Sequence, residues 1–245
     1  MISAGEIMKK GINVNHIQGN INWKNVKKAG MQFAIICAGL NNKKDSQFES
    51  NYAGCKEHNI PCGVVWSSYA KTVGDSKCEA ENLLDIIKDK NFEYPIWLNV
   101  DFISDNGKER CNAIAKAFIE AVESAGYTVG IKGSTFVLEH YIDESLKSNR
   151  PVYVSQISVD KPDYSGNYDM WEYSCKGRVR GIKGYVNMSN CYTDYSTITI
   201  KRSEAAQNAT ETAVNSKPKK NTDKAKTANK SGNKAVLDDA KQKTE

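Results

Sequence analysis

At 245 residues, 40% of them apolar, the chain is long enough to bury one large core, and a single folded domain is the expectation. Its formal net charge of +5 sits entirely in residues 201–245, which hold 11 Lys and Arg against 6 Asp and Glu, while the preceding part holds 23 of each. This balance argues against nucleic acid as a partner of the folded domain, and leaves attraction to an anionic polymer to the tail.

The elements read in chain order as alternating short apolar runs and longer segments of helical spacing. Strands are predicted at Gly11 to Val14, Phe33 to Ala38, Gly63 to Ser67, Ile96 to Val100, Thr128 to Ile131, Val152 to Ser155 and Asp169 to Tyr173. Helices fall between them at Trp23 to Ala29, Ser46 to His58, Asp75 to Lys88 and Lys108 to Ala125. The last carries Ile114, Ala117, Phe118, Ala121 and Val122 on one face and ends at Gly126, a residue suited to a C-terminal cap. After about Tyr168 the helical period gives way to glycines (Gly177, Gly181, Gly184), which predicts closure by hairpin strands. The fold class is therefore α/β: an irregular TIM-like β/α barrel closed by antiparallel strands. Residues 1–9 read as an extension, 10–200 as the barrel, and 201–245 as a disordered lysine-rich tail without Phe, Tyr or Trp.

Seven cysteines, an odd number with no C-x-x-C pair, point to buried thiols in a reducing compartment, and no metal is expected. His16, His58 and His140 sit in no metal-ligand spacing, and no G-x-S-x-G elbow is present. The first fifteen residues lack the apolar core of a signal peptide, and no run of about 18 apolar residues occurs. The expectation is synthesis in the cytoplasm without a membrane span, with release to the cell wall by lysis or a non-classical route.

Five stretches carry a resemblance. They are Gly11-Ile12-Asn13-Val14-Asn15-His16-Ile17-Gln18-Gly19, Pro95-Ile96-Trp97-Leu98-Asn99-Val100-Asp101, Gly126-Tyr127-Thr128-Val129-Gly130, Asp169-Met170-Trp171-Glu172-Tyr173-Ser174, and Gly177 through Val186-Asn187-Met188. In this order and spacing the chain resembles the glycoside hydrolase family 25 lysozymes over about residues 10 to 195. The resemblance implies cleavage of the β-1,4 bond between N-acetylmuramic acid and N-acetylglucosamine in peptidoglycan, by carboxyl groups at the C-terminal ends of barrel strands and with no cofactor. It makes peptidoglycan or a related glycan the partner. In the family's D-x-E pair, residues two apart on a strand present both carboxyls to one groove.

Carried over position by position, the resemblance puts Asn13, Asn99 and Asn187 where the family has Asp, and Asp101 where it has Glu. An amide keeps the shape of a carboxylate and exchanges no proton, so Asp101 is the one ionisable group left at these positions. Val65, Ser67, Lys132 and Ile157 stand where the family presents aromatic rings, Tyr153 where it has Trp, Cys37 where it has Arg, and Glu172 where it has Gln. Gln18, Trp66, Tyr69, Gln156, Trp171 and Glu172 are expected to line the groove, with core packing the competing role for Trp66 and Trp171; His16 either joins them or faces solvent. Two functions stay open. One is a pseudoenzyme that binds a glycan or another partner; the other is a slow muramidase with Asp101 as acid and Asn99 orienting the substrate's acetamido group.

Overall fold

The computed structural model describes residues 8–195. In chain order they form β1 (Lys9–Val14), α1 (Trp23–Lys28), β2 (Phe33–Leu40), β3 (Lys43–Lys44), α2 (Phe48–Glu57), β4 (Cys62–Ser67), α3 (Val73–Ile87), β5 (Ile96–Asn99), α4 (Lys108–Ser124), β6 (Val129–Ser134), α5 (Thr135–His140), α6 (Glu144–Lys147), β7 (Val152–Ser155), β8 (Met170–Gly177) and β9 (Val186–Cys191). The sheet runs β1-β9-β8-β7-β6-β5-β4-β2-β3, and β1 also pairs with β2, so eight strands close a barrel with β3 as a short hairpin on its rim. Seven barrel strands are parallel; β9 runs against both β1 and β8. The expected barrel with antiparallel closure is what forms. The lysine-rich tail and all of the N-terminal extension except Met8 and Lys9 lie outside the described residues.

Strand alternation divides the core in two. Phe33, Ile35, Trp97, Tyr153, Met170 and Cys191 point into the barrel and pack with Tyr94 and Tyr195, whereas Ala34, Ile36, Val64, Trp66, Ile96 and Leu98 face the helices. The inner set is largely aromatic: Phe33 stacks on Tyr94 at 4.8 Å, and Trp97 meets Tyr153 edge-on at 5.1 Å and Tyr195 at 6.2 Å. These rings fill the end of the barrel opposite the strand C-termini, and Gly130 leaves room for one of them. A Cβ there would lie 2.4 Å from Trp97 and 3.0 Å from the Pro151 carbonyl, neither of which has space to yield. Gly130→Ala is therefore expected to cost about 1–3 kcal/mol in urea unfolding, with the fold retained.

The helices follow their local signals. Thr72 accepts the Asp75 N–H at 3.1 Å while Asp75 accepts the Thr72 N–H at 3.0 Å, a capping box that starts α3. Helix α4 buries Ile114, Ala117, Phe118 and Val122 as patterned, and Gly126 follows its end at φ 89°. Three features depart from expectation. Helices α5 and α6 fall between the predicted strands Thr128 to Ile131 and Val152 to Ser155, where no helix bounds were predicted, and β3 is likewise additional. Strand β5 stops at Asn99, so Asp101 opens a 3-10 turn, Asp101–Asn106, instead of sitting two places along a strand. Among the described residues no helix is long and apolar enough to cross a membrane.

Candidate active site

The inward-facing residues change from aromatic to polar toward the C-terminal ends of the parallel strands, where β/α barrels place their chemistry. Register puts Asn13 opposite Asn187, Ser67 beside Asn99, Asn99 beside Lys132, and Ser155, Glu172 and Ser189 in one row. The centre of this mouth is an ion pair. Lys132 Nζ lies 3.4 Å from Glu172 Oε1, with both side chains 8% exposed. The Ser155 hydroxyl donates to the same oxygen at 2.9 Å, Asn13 Nδ2 donates to Oε2, and the Asn187 side chain also bonds the carboxylate. Burial works to neutralise Glu172, but the charge of Lys132 and these donors outweigh it and hold the carboxyl below its ordinary range.

Asn13 is fully committed. Its second amide hydrogen goes to the Tyr153 hydroxyl at 2.7 Å, and that hydroxyl lies 2.5 Å from Ser189 Oγ. Tyr153 is buried, which holds its phenol well above the usual range and keeps it neutral, and Lys132 Nζ stands 4.9 Å from its ring centre. Asn99 is less tied. Its Oδ1 accepts the Asp101 N–H at 3.3 Å and its Nδ2 makes a long 3.4 Å contact to Ser67 Oγ. Asp101 Oδ1 accepts the Ser134 N–H at 2.7 Å, where β6 turns into α5. At the rim, buried Asp45 accepts the His16 backbone N–H at 3.0 Å and sits 2.8 Å from its Nδ1, so the imidazole's other nitrogen is directed away from this partner. Burial, reinforced by the charge of Asp45, pushes the Cys37 thiol up to about 12, which rules it out as a nucleophile.

The structure sorts the residues expected to line the groove. Trp66 is fully buried on the outer side of the barrel, where its indole donates to Glu79 at 3.2 Å, so it belongs to the core between strand and helix and not to the groove. The two-residue period carries that signal: Val65 and Ser67 point inward, hence Trp66 outward. Trp171 is also nearly buried, its indole donating to the Gln156 carbonyl at 2.7 Å. Gln156 spends its own amide on Asp163, and Gln18 spends its amide on the Asn15 N–H and the Tyr185 carbonyl. Glu172 is enclosed as described above. Tyr69 alone of the six offers a broad open face, 38% exposed, and it stacks at 4.3 Å and 14° on Phe102, which is 45% exposed. Glu79 fixes this pair by accepting the Tyr69 N–H at 3.0 Å, and Asn106 bridges the two loops by donating to the Ala70 and Ile103 carbonyls.

Sequence reasoning did not foresee Phe102, whose signal is a large apolar residue directly after Asp101 in a polar loop. It also did not foresee the pairing of Lys132 with Glu172, although Lys132 is the one charge in β6 and Glu172 stands beside the buried Met170 and Trp171 of β8. Among the described residues no group of three or more His, Cys, Asp and Glu is arranged to hold a metal ion.

An eight-stranded β/α barrel with its polar residues collected at the strand C-termini has them where such barrels carry their functional sites. The model of glycosyl hydrolases family 25 matches residues 12–182, and the chain belongs to that family. It is similar to the autolytic lysozyme of Clostridium acetobutylicum, 23% identical over 181 residues, covering 73% of this chain and 54% of that protein. It is also similar to lysozyme M1 of Streptomyces globisporus, 25% identical over 207 residues, covering 73% of this chain and 66% of that protein. The chain thus spans between half and two thirds of the length of these curated relatives. Among solved structures, the modular autolysin LytC of Streptococcus pneumoniae in complex with a synthetic peptidoglycan ligand superimposes with a TM-score of 0.65 at 24% identity, covering 76% of this chain and 47% of that one.

Proposed function

We propose that this chain is a family 25 lysozyme-fold protein whose hydrolytic power is lost or strongly reduced and which acts by binding a peptidoglycan-type glycan at the barrel mouth. The observation that carries this reading is the closed polar centre. A glycosidase of this kind needs two carboxyl groups across the scissile bond, one of them able to give a proton. Here Glu172 is enclosed and held ionised by Lys132, Asn13 is saturated by Glu172 and Tyr153, and Asp101 is the remaining carboxylate at the family's catalytic positions. Losing one general acid or base typically costs about 10²- to 10⁴-fold in rate. Glycan binding is supported by the exposed Tyr69–Phe102 stack beside Asp101, and by the LytC complex, in which a protein of this fold carries a peptidoglycan ligand.

Asn99 supports a second reading, a slow muramidase. Among the described residues its amide hydrogens make only the long contact to Ser67, which leaves them to orient a substrate acetamido group while Asp101 serves as acid. Release of soluble muropeptides from purified peptidoglycan decides between the two. No release by the unmodified chain is expected; release, even slow, that disappears in Asp101→Asn establishes the second reading and overturns the first. For the binding half, Tyr69→Ala with Phe102→Ala is expected to weaken cosedimentation with insoluble peptidoglycan roughly tenfold, since each ring contributes about 0.5–1.5 kcal/mol, with the melting curve little changed. On this proposal the protein reaches the wall by lysis or a non-classical route, and the lysine-rich tail adds attraction to an anionic polymer.

A further inference from the structure

The near neutrality of residues 1–200 conceals a separation of charge. No acidic residue occurs between positions 7 and 44 or between 173 and 193. The fold brings parts of these two segments together. The hairpin joining β8 to β9 packs on the start of α1, where the Asn22 N–H donates to the Gly181 carbonyl at 2.9 Å. Gly181 has φ +106°, and a Cβ on it would lie 2.4 Å from the Asn22 carbonyl, so the approach depends on glycine. The hairpin contributes Lys176, Arg178, Arg180 and Lys183 and the helix contributes Lys24, Lys27 and Lys28, all exposed. Among the described residues none of these seven is ion-paired to a carboxylate. The rest of residues 1–200 carries 16 cations against 23 anions, so these two neighbouring elements concentrate the positive charge of an otherwise acidic body, with Lys27 turned to donate to the Asn59 carbonyl at 2.8 Å.

We propose that the outer face of α1 and the β8–β9 hairpin bind a phosphodiester-linked polyol polymer of the cell wall. Rows of exposed ammonium and guanidinium groups suit a flexible chain of regularly spaced phosphates, whose counterions are released on binding. A single-stranded nucleic acid calls in addition for open aromatic faces on which bases stack. The exposed ring at this surface, Tyr185, is covered by Arg178, whose guanidinium stands 4.4 Å from its centre. The surface also adjoins the barrel mouth, because Gln18 in the turn after β1 donates to the Tyr185 carbonyl at 3.1 Å. A polymer held here runs alongside whatever occupies the mouth, and its binding does not depend on whether the mouth cleaves.

The test is titration of the full chain with delipidated poly(glycerol phosphate) across a range of salt concentrations. The parent is expected to bind with an affinity that falls steeply with salt, and K24Q/R180Q/K183Q to bind roughly tenfold more weakly at low salt with a shallower salt dependence. K77Q/K108Q/K116Q, which has the same net charge but alters α3 and α4, is expected to match the parent. Unchanged binding by the first variant overturns the proposal, as does an equal loss in both variants. Tighter binding of duplex or single-stranded DNA at matched phosphate concentration, with the same sensitivity to the first variant, overturns the assignment to a polyol phosphate.

Discussion

Lys132→Met is expected to cost about 3–5 kcal/mol of stability at pH 7, because it removes the one cation paired with a carboxylate that the barrel encloses. The dependence on pH identifies the cause. In the parent, Glu172 is held below its ordinary range, so its contribution is present above the unfolded carboxylate value of about 4.3 and is lost as pH falls through the folded value. Without Lys132, burial dominates and the carboxyl moves upward. The folded variant must then either keep an unpaired charge or bind a proton, and the penalty is largest at neutral pH and shrinks below about pH 4, where the group is neutral in both states. Urea unfolding at pH 7 and pH 4 measures this, and K132M/E172L is expected to recover most of the loss at pH 7. An equal loss at both pH values means that packing of the lysine stem, not charge, is what the site needs.

Restoring the family's carboxylates is expected to fail unless Glu172 is changed with them. Asn13 and Asn187 both bond Glu172, so N13D/N99D/D101E/N187D places two further carboxylates against one that already holds the only nearby ammonium among the described residues. Like charges at such distances force protonation or displacement. That variant is expected to melt earlier than the parent and to release no muropeptides. Adding E172Q turns the repulsion into amide-to-carboxylate hydrogen bonds and leaves Lys132 to the new acids, and muropeptide release, absent from the parent, is expected to become measurable. Equal release with and without E172Q would show that the enclosed glutamate does not limit the chemistry.

The strands were legible because period-two alternation and β-branched runs survive in any register, and the antiparallel closure was legible from the glycines after Tyr168. The bounds of helices α5 and α6 were not, since six and four residues are too few to display a helical period. Trp66 was left between groove and core for a different reason: its size and its neighbours invite a ligand-facing role, and only counting in twos from Val65 turns it toward α3. Asp101 lies outside the expected element, because β5 ends at Asn99 and the turn after it is stabilised by Ser104 donating to the Asp101 carbonyl at 2.7 Å. The Lys132–Glu172 pair lay beyond sequence reading altogether. The two residues are 40 apart and on strands separated by β7, so their meeting depends on the barrel's curvature, which no local pattern encodes.

Closure of the barrel by β9 also sets when the mouth comes into being. The contacts of Asn13 with Tyr153 and Glu172 span 140 and 159 residues, and its strand neighbour Asn187 lies further still along the chain. Such distant pairings pay their loop-closure entropy before any reward, which places them late in folding. During synthesis the first strand waits, one edge unpaired, until nearly the whole domain has left the ribosome. The site is therefore assembled from the two ends of the domain, and a nascent chain stopped before β9 holds the sequence of all six described α-helices but no mouth.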